Sequence, residues 1–288
     1  MYDYALNSPE TSPLVRKLIY DEPDMFAFGE KLAKQGVRFL SGHIRAAKYI
    51  YLFGALQTVT FLRDPIQRVA SEYHHFVRHY GYKGDFPSFY RRADFINRQS
   101  HLINRLPLEV FGVVGLTEQY ESSLKILNKK FGADIKSSVL NVGRVDGSES
   151  YQLPEDQLKE LRNLNKKDID LYEHAVALFE TRKHLFSDNL PFVHGVIQVA
   201  NEQRVQGWAW HENSNDSVEL EFYVDGEKLG SAFTRDLRPG LLPFNPPRRG
   251  FVGFQFQFDE PVKPDTRVKV VVANTGQVIG EMPCKASA

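Results

Sequence analysis

Two periods divide the chain. Up to about residue 187, apolar side chains recur three and four positions apart, the spacing of a helix face, and from Val193 onward alternation and turns take over. The sharpest helical pattern is Ile66, Val69, Ala70, Tyr73 and Val77, which share one face. Immediately before it, residues 58–62 are β-branched and apolar, the composition of a short buried strand. Between the two, Asp64 offers an N-cap carboxylate, and Pro65 suits the first helical position, where its missing N–H costs nothing. Strand, tight turn and helix therefore follow without a linker. Arg63 ends the strand, where open α/β sheets bind ligands. Ser71 lies about 140° around the helix from Ile66 and points away from the core face.

The same pattern predicts helices over 14–20 and 24–35, a β-like run over 37–40, a helix over 87–98, a strand over 110–116 and a helix over 117–128 capped by Thr117. Residues 154–182 read as two helices broken near Asn165, with Asp168 capping the second. The polar, turn-rich residues 1–13 are expected to be poorly ordered. Beyond the composition shift near 187–191 the runs VIQVA, RVQGWAW, VELEFYVDG and GFQFQF alternate, and Asp225-Gly226 has the chemistry of a hairpin turn. The expected architecture is an α/β domain over 1–187, with a parallel sheet flanked by helices, followed by an all-β sandwich over 191–288. Trp208 and Trp210 fall on one strand face; core is the favoured reading, and a sugar-stacking platform with Tyr223 is the competing one.

Composition narrows the classes. Apolar residues at 42% and charged residues at 25% are ordinary for a soluble globular protein. Lys plus Arg and Asp plus Glu number 36 each, so no global field points to a nucleic-acid or membrane partner. The single cysteine, Cys284, rules out an internal disulfide and fits a reducing compartment. No apolar run is long enough to span a bilayer and no signal-peptide pattern opens the chain, so a cytoplasmic protein without an integral membrane segment is expected. His74, His75, Arg78 and His79 come without a further obvious ligand, so no metal site is expected; they read as a wet helix face, or as the lining of a groove for an anionic acceptor. Asp168-Ile169-Asp170 imitates a metal-binding DxD, but at a helix start rather than a strand end.

The Arg63-Asp64-Pro65 turn with Ser71 eight residues after the arginine resembles the 3′-phosphate-binding segment of sulfotransferases that use 3′-phosphoadenosine 5′-phosphosulfate (PAPS). The resemblance implies a P-loop-like core in which Arg63 and Ser71 hold the donor's 3′-phosphate. A guanidinium grips phosphate in a forked geometry, and a hydroxyl adds a neutral donor. The bland alternative pairs Arg63 with Asp64 or a helix end and leaves Ser71 solvated. Ser41-Gly42-His43, with the histidine twenty residues before Arg63, resembles the Gly-His of carbohydrate sulfotransferases of the uronyl 2-O class. There it implies His43 as the catalytic base for an acceptor hydroxyl, against the alternative of a histidine capping a turn. By the same resemblance Asn141, Gly143 and Arg144 lie in a loop closing over the nucleotide, or else in a loop with no ligand. The C-terminal landmarks GWAW, YVDG, RPGL and GFQFQF are similar to a small β module appended to bacterial glycan-modifying transferases.

The family's 5′-phosphosulfate loop, a Gly-rich Lys-Thr turn opening a helix, has no counterpart here and by spacing would fall just upstream of Met1. The expected activity is sulfuryl transfer from PAPS to a carbohydrate hydroxyl. Two rivals stand beside it: a catalytically inactive nucleotide- or glycan-binding protein, favoured by the missing loop, and a glycosyltransferase-like enzyme, which lacks a strand-end DxD. Acceptor identity and oligomeric state are not legible in the sequence.

Overall fold

The computed structural model describes residues 1–104, 106–137 and 150–286. Its centre is β3 (Val59–Leu62), paired in parallel with β4 (Val113–Leu116) in direct register from Val59↔Val113 to Leu62↔Leu116. Both expected strands form but start late. Residue 58 is held by the preceding turn, and Leu108–Val110 closes a 3₁₀ turn before β4. Helix α4 (Pro65–Tyr80) follows β3 at once, with the Asp64 carboxylate accepting from Gln67 N at 2.8 Å and Gly81 ending it at φ 63°. Ile66, Val69 and Ala70 are buried, as the spacing predicts.

Helices α1 (Pro13–Val15, continued as a π-turn over Arg16–Asp21), α2 (Met25–Lys34) and α3 (Ala47–Phe53) precede β3. The N-terminus corrects the expectation of disorder: β1 (Tyr2–Asp3) pairs in parallel with β2 (Ser41–Gly42). The strand falls at Ser41–Gly42 rather than over 37–40. The reason is Asp3, whose side chain is fully buried and draws hydrogen bonds from Tyr20, Lys48 and Tyr49 at 2.6–2.7 Å. That network needs partners 17 to 46 residues away, so nothing local announces it.

The helix expected over 87–98 is two: α5 (Phe86–Tyr90), capped by Asp85, and α6 (Arg98–Ile103), set off by Asn97 in the left-handed region at φ 49°. Helix α7 is Tyr120–Phe131, reached through a 3₁₀ turn at Thr117–Gln119, so Thr117 is not its cap. The break at Asn165 separates α8 (Glu155–Leu164) from α9 (Lys166–Ser187). Asp168 does cap a helix, but a different one: its carboxylate accepts from Gln99 N, Ser100 N and Ser100 Oγ at the start of α6. In return Asn97 Oδ1 accepts from Asp168 N at 3.1 Å, so α6 and α9 cap each other.

The C-terminal region is two four-stranded antiparallel sheets. One has the order β5 (Val193–Ala200), β6 (Arg204–His211), β10 (Phe251–Gln257), β9 (Asp236–Leu237). The other has the order β12 (Val278–Pro283), β11 (Arg267–Val272), β7 (Glu219–Val224), β8 (Glu227–Phe233). Their inner faces share a core that includes Val205, Ala209, Phe254, Phe222, Val268 and Val270. Asp225 and Gly226, at φ 50° and 87°, make the β7–β8 turn as expected, since only such residues adopt those angles readily.

The two regions are joined through a continuous core. Trp208 and Trp210, each 1% exposed and stacked at 4.4 Å, leave the sandwich's outer face and pack among residues of α9, β4 and the turn before β4. They are core, and not a sugar platform. Beneath them lies a buried ionic group in which Glu212 meets Arg182 and, at 2.8 Å, Lys130 Nζ. Arg182 Nη1 also donates to Gly112 O at 2.6 Å. Gly112 admits no side chain, because a Cβ would stand 2.1 Å from Leu56 O.

Candidate functional site

Arg63 leaves the carboxyl end of β3 with its backbone pinned on both sides. Gln99, buried in the first turn of α6, accepts from Arg63 N and donates Nε2 to Arg63 O, each at 2.9 Å. Next along, Asp64 N donates to Glu118 Oε1 at 2.9 Å, and Tyr172 Oη donates to Glu118 Oε2 at 2.9 Å. The main chain is therefore fixed while the guanidinium is spare among the described residues: the nearest charge there is Glu118 Oε1, 4.0 Å from Nε, too long for a hydrogen bond. Burial, then the bond to Glu118, raises the Tyr172 pKa, keeping that hydroxyl a donor.

Helix α4 turns a second, polar face away from the core. Arg68, Ser71, Glu72 and His75 recur at i, i+3, i+4 and i+7 on it. Glu72 is shared between Arg68 Nη1 and Arg98 Nη1, 3.0 Å from each. The Ser71 hydroxyl makes no hydrogen bond among the described residues and is half-buried beside these charges.

His43 approaches the same face. It follows β2, whose Gly42 cannot carry a side chain because a Cβ would lie 1.8 Å from Asp3 O. Tyr4 meets the imidazole edge-on, with centroids 5.5 Å apart. Desolvation lowers the His43 pKa, and the positive charges of Arg68 and Arg98 lower it further, against the opposing pull of Glu72. A ring with that bias is neutral at physiological pH and holds a free lone pair, the state a general base needs. The Asp3 group behind β2 is locked in its charged form: burial alone would raise its pKa, but the bonds from Lys48, Tyr20 and Tyr49 hold it below the ordinary value.

Arg68 links the parts, since its guanidinium is within electrostatic reach of both His43 and Arg63. Three arginines, Arg63, Arg68 and Arg98, thus meet three carboxylates, Glu72, Glu118 and Asp168, beside a neutral histidine, and the Arg63 guanidinium keeps donors that no described residue takes up. Such a place can hold an anion and accept a proton. Asn141, Gly143 and Arg144 lie outside the described residues. His74 stacks on Tyr151 at 4.9 Å, whereas the rings of half-buried His75 and exposed His79 lie 4.5 Å apart, tilted by 38°. Among the described residues no group of three or more His, Cys, Asp or Glu side chains is arranged to hold a metal ion, and no helix is long and apolar enough to cross a membrane.

Five residues of this site escaped sequence reasoning: Arg68, Glu72, Arg98, Gln99 and Glu118. The first two were within reach, for their spacing with Ser71 and His75 marks a polar stripe opposite the apolar one. The other three come from elements 35 to 55 residues beyond Arg63 by a count along the chain, and carry no local signal.

A scan against family models, a search of curated proteins and a search of solved structures each returned no match. The reading of the site therefore stands on its own chemistry.

Proposed function

We propose that the chain binds the 3′-phosphate end of a phosphoadenosine nucleotide at Arg63 and Ser71 and transfers a sulfuryl group from PAPS to a carbohydrate hydroxyl, with His43 as general base. The observation that carries this is the state of Arg63: a strand-end guanidinium whose backbone is clamped by Gln99 while its charged end is left almost unpartnered among the described residues. Unspent cationic donors at the carboxyl end of a parallel strand are the chemistry an anionic ligand requires. Ser71 supplies a neutral donor from the adjoining helix. In this reading His43 takes the proton of the attacking hydroxyl as its oxygen bonds to sulfur and the S–O bond to the 5′-phosphate breaks. The nucleotide 3′,5′-bisphosphate leaves with the bonding electron pair. The P-loop-like core belongs to this proposal, as does the closing role of Asn141, Gly143 and Arg144.

Calorimetric titration with 3′,5′-adenosine bisphosphate, on the wild type and on Arg63→Ala, is the first test. Saturable binding lost in the variant supports the site, and a folded wild type that does not bind sinks it. A second reading is nucleotide binding without turnover, in which Arg63 and Ser71 hold the 3′-phosphate and no sulfuryl group moves. Labelled PAPS offered with a panel of glycan acceptors separates the two, because only the first reading moves label to the acceptor.

A further inference from the structure

The outer face of the β5–β6–β10–β9 sheet is divided. Its Trp208–Trp210 part is covered by the N-terminal region, whereas the part continuing along β6 and β10 is an open cleft of about 560 Å³. Gln206, Gln255, Gln257, Asp236 and Arg238 line it. The pleat puts them there: Gln206 stands opposite Gln255 in register, and Gln257 lies two residues further on the same face.

Arg238 lies across the sheet over Gly253, where a Cβ would come within 2.4 Å of its Nε. Nη2 donates to Phe254 O at 2.8 Å, while Nε is buried and has no hydrogen-bond partner among the described residues. A buried donor left unpaired costs free energy, so its presence calls for an acceptor that a ligand can bring. Gln206 Nε2 donates to Gln255 Oε1, which leaves Gln206 Oε1 as a free acceptor and the Gln255 amide hydrogens as free donors.

We infer that this cleft is a binding site for a neutral oligosaccharide. Each sugar hydroxyl is both donor and acceptor, and carboxamides are the side chains that answer both roles at once. Asp236 and Arg238 cancel in formal charge, so the lining offers no net attraction to a phosphate, a sulfate or a nucleic acid. Its walls are too polar for an apolar ligand, and the edge strand β9 spans only two residues, too short to pair with an added peptide strand. The inference does not rest on the sulfuryl-transfer reading, since no residue is shared between the two sites.

The test is isothermal titration of the full chain with hexasaccharides of β-1,4-glucan, α-1,4-glucan, β-1,4-mannan and β-1,4-N-acetylglucosamine, with a uronate hexasaccharide alongside. Saturable binding of at least one neutral sugar is expected, weakened roughly tenfold by Gln255→Ala, as the loss of a ligand hydrogen bond predicts. Gly253→Ala, which displaces the Arg238 guanidinium, should weaken it as well. Thermal denaturation checks that each variant is folded, and Gln255→Ala, on an exposed position, keeps the test decisive if Gly253→Ala is not. Absence of binding by every neutral sugar, binding confined to the uronate, or affinity unchanged in the folded variants would each overturn the inference.

Discussion

Two ionic clusters in this protein use the same side chains to opposite ends. Between the regions, Glu212 is surrounded by Arg182, Lys130 and His194, and the side chains of the carboxylate and the first two cations are each 10% exposed or less. Arg182 and Lys130 are aimed at Glu212 and, through Arg182 Nη1, at Gly112 O, while His194 Nε2 is buried without a hydrogen-bond partner among the described residues. Burial would raise the Glu212 pKa, but the positive charges of Arg182 and Lys130 hold it well below the ordinary value. Burial also keeps His194 neutral, with Nδ1 bonded to Glu109 O at 2.9 Å; its Nε2, 3.5 Å from Glu212, is too distant for more than a weak contact. Beside α4, by contrast, Glu72 serves two arginines and Arg63 is barely served by the described residues. A cluster whose cations are paired holds structure together; one in which Arg63 keeps unspent donors has something left for a ligand.

The comparison breaks first at His43. His43→Ala should lower sulfuryl transfer by roughly 10²–10⁴-fold, the usual worth of a positioned base, while nucleotide affinity stays the same. Because the His43 pKa is lowered, the base form persists further into acid. The wild-type rate should rise with pH along a limb centred below the ordinary histidine value of 6.5 and then level off. A rate that is flat across that range, or a fully active variant, removes His43 from the chemistry.

Next is the seam. Glu212→Gln leaves Arg182 and Lys130 buried without a counter-charge and should cost about 3–5 kcal/mol by denaturant unfolding, with nucleotide binding by the folded fraction intact. The wild type carries the pH signature of the same group. A carboxylate with a depressed folded pKa contributes fully above its unfolded value of 4.5, and the contribution fades as pH falls through the folded one. A loss of less than about 1 kcal/mol would mean that the seam is no more than a surface pair.

Arg63→Ala should weaken 3′,5′-adenosine bisphosphate binding by roughly ten- to a hundredfold, the worth of one or more charge-assisted bonds. The unfolding midpoint should barely move, since the Gln99 clamp acts on the backbone. An equal loss of stability would place Arg63 with the structural cluster. Ser71→Ala is the mildest change, a few-fold loss of affinity for one neutral hydrogen bond, read by the same titration. No change there would take the hydroxyl out of the site.

What the chain made legible follows from the range of each interaction. The turn at Asp64-Pro65, the buried face of α4 and the Asp225-Gly226 hairpin are decided by residues within a turn or two of one another, and all were readable. Trp208 and Trp210 could be assigned to core from strand alternation, yet not the fact that their core belongs largely to the other region. The ordering of residues 1–13, the mutual capping of α6 and α9 and the Gln99 clamp depend on partners 17 to 71 residues away. No window along the sequence contains both halves of such a pair. For the candidate site, the positions of Arg63 and Ser71 on strand end and helix face were readable, while the charge balance around them was not.

The exchange of caps between α6 and α9 has a consequence for how the molecule breathes. A six-residue helix has little stability by itself, and α6 holds its first turn only while Asp168 of α9 is in place. Since α9 also carries Phe179 and Arg182 into the seam, the Gln99 support of Arg63 can open only as part of a larger cooperative unit. Slow exchange of the Gln99 and Ser100 amide protons, at the rate of the α9 interior, would be the mark of that shared unit. The strand-end arginine would then owe its preorganisation to the anchoring of the second region.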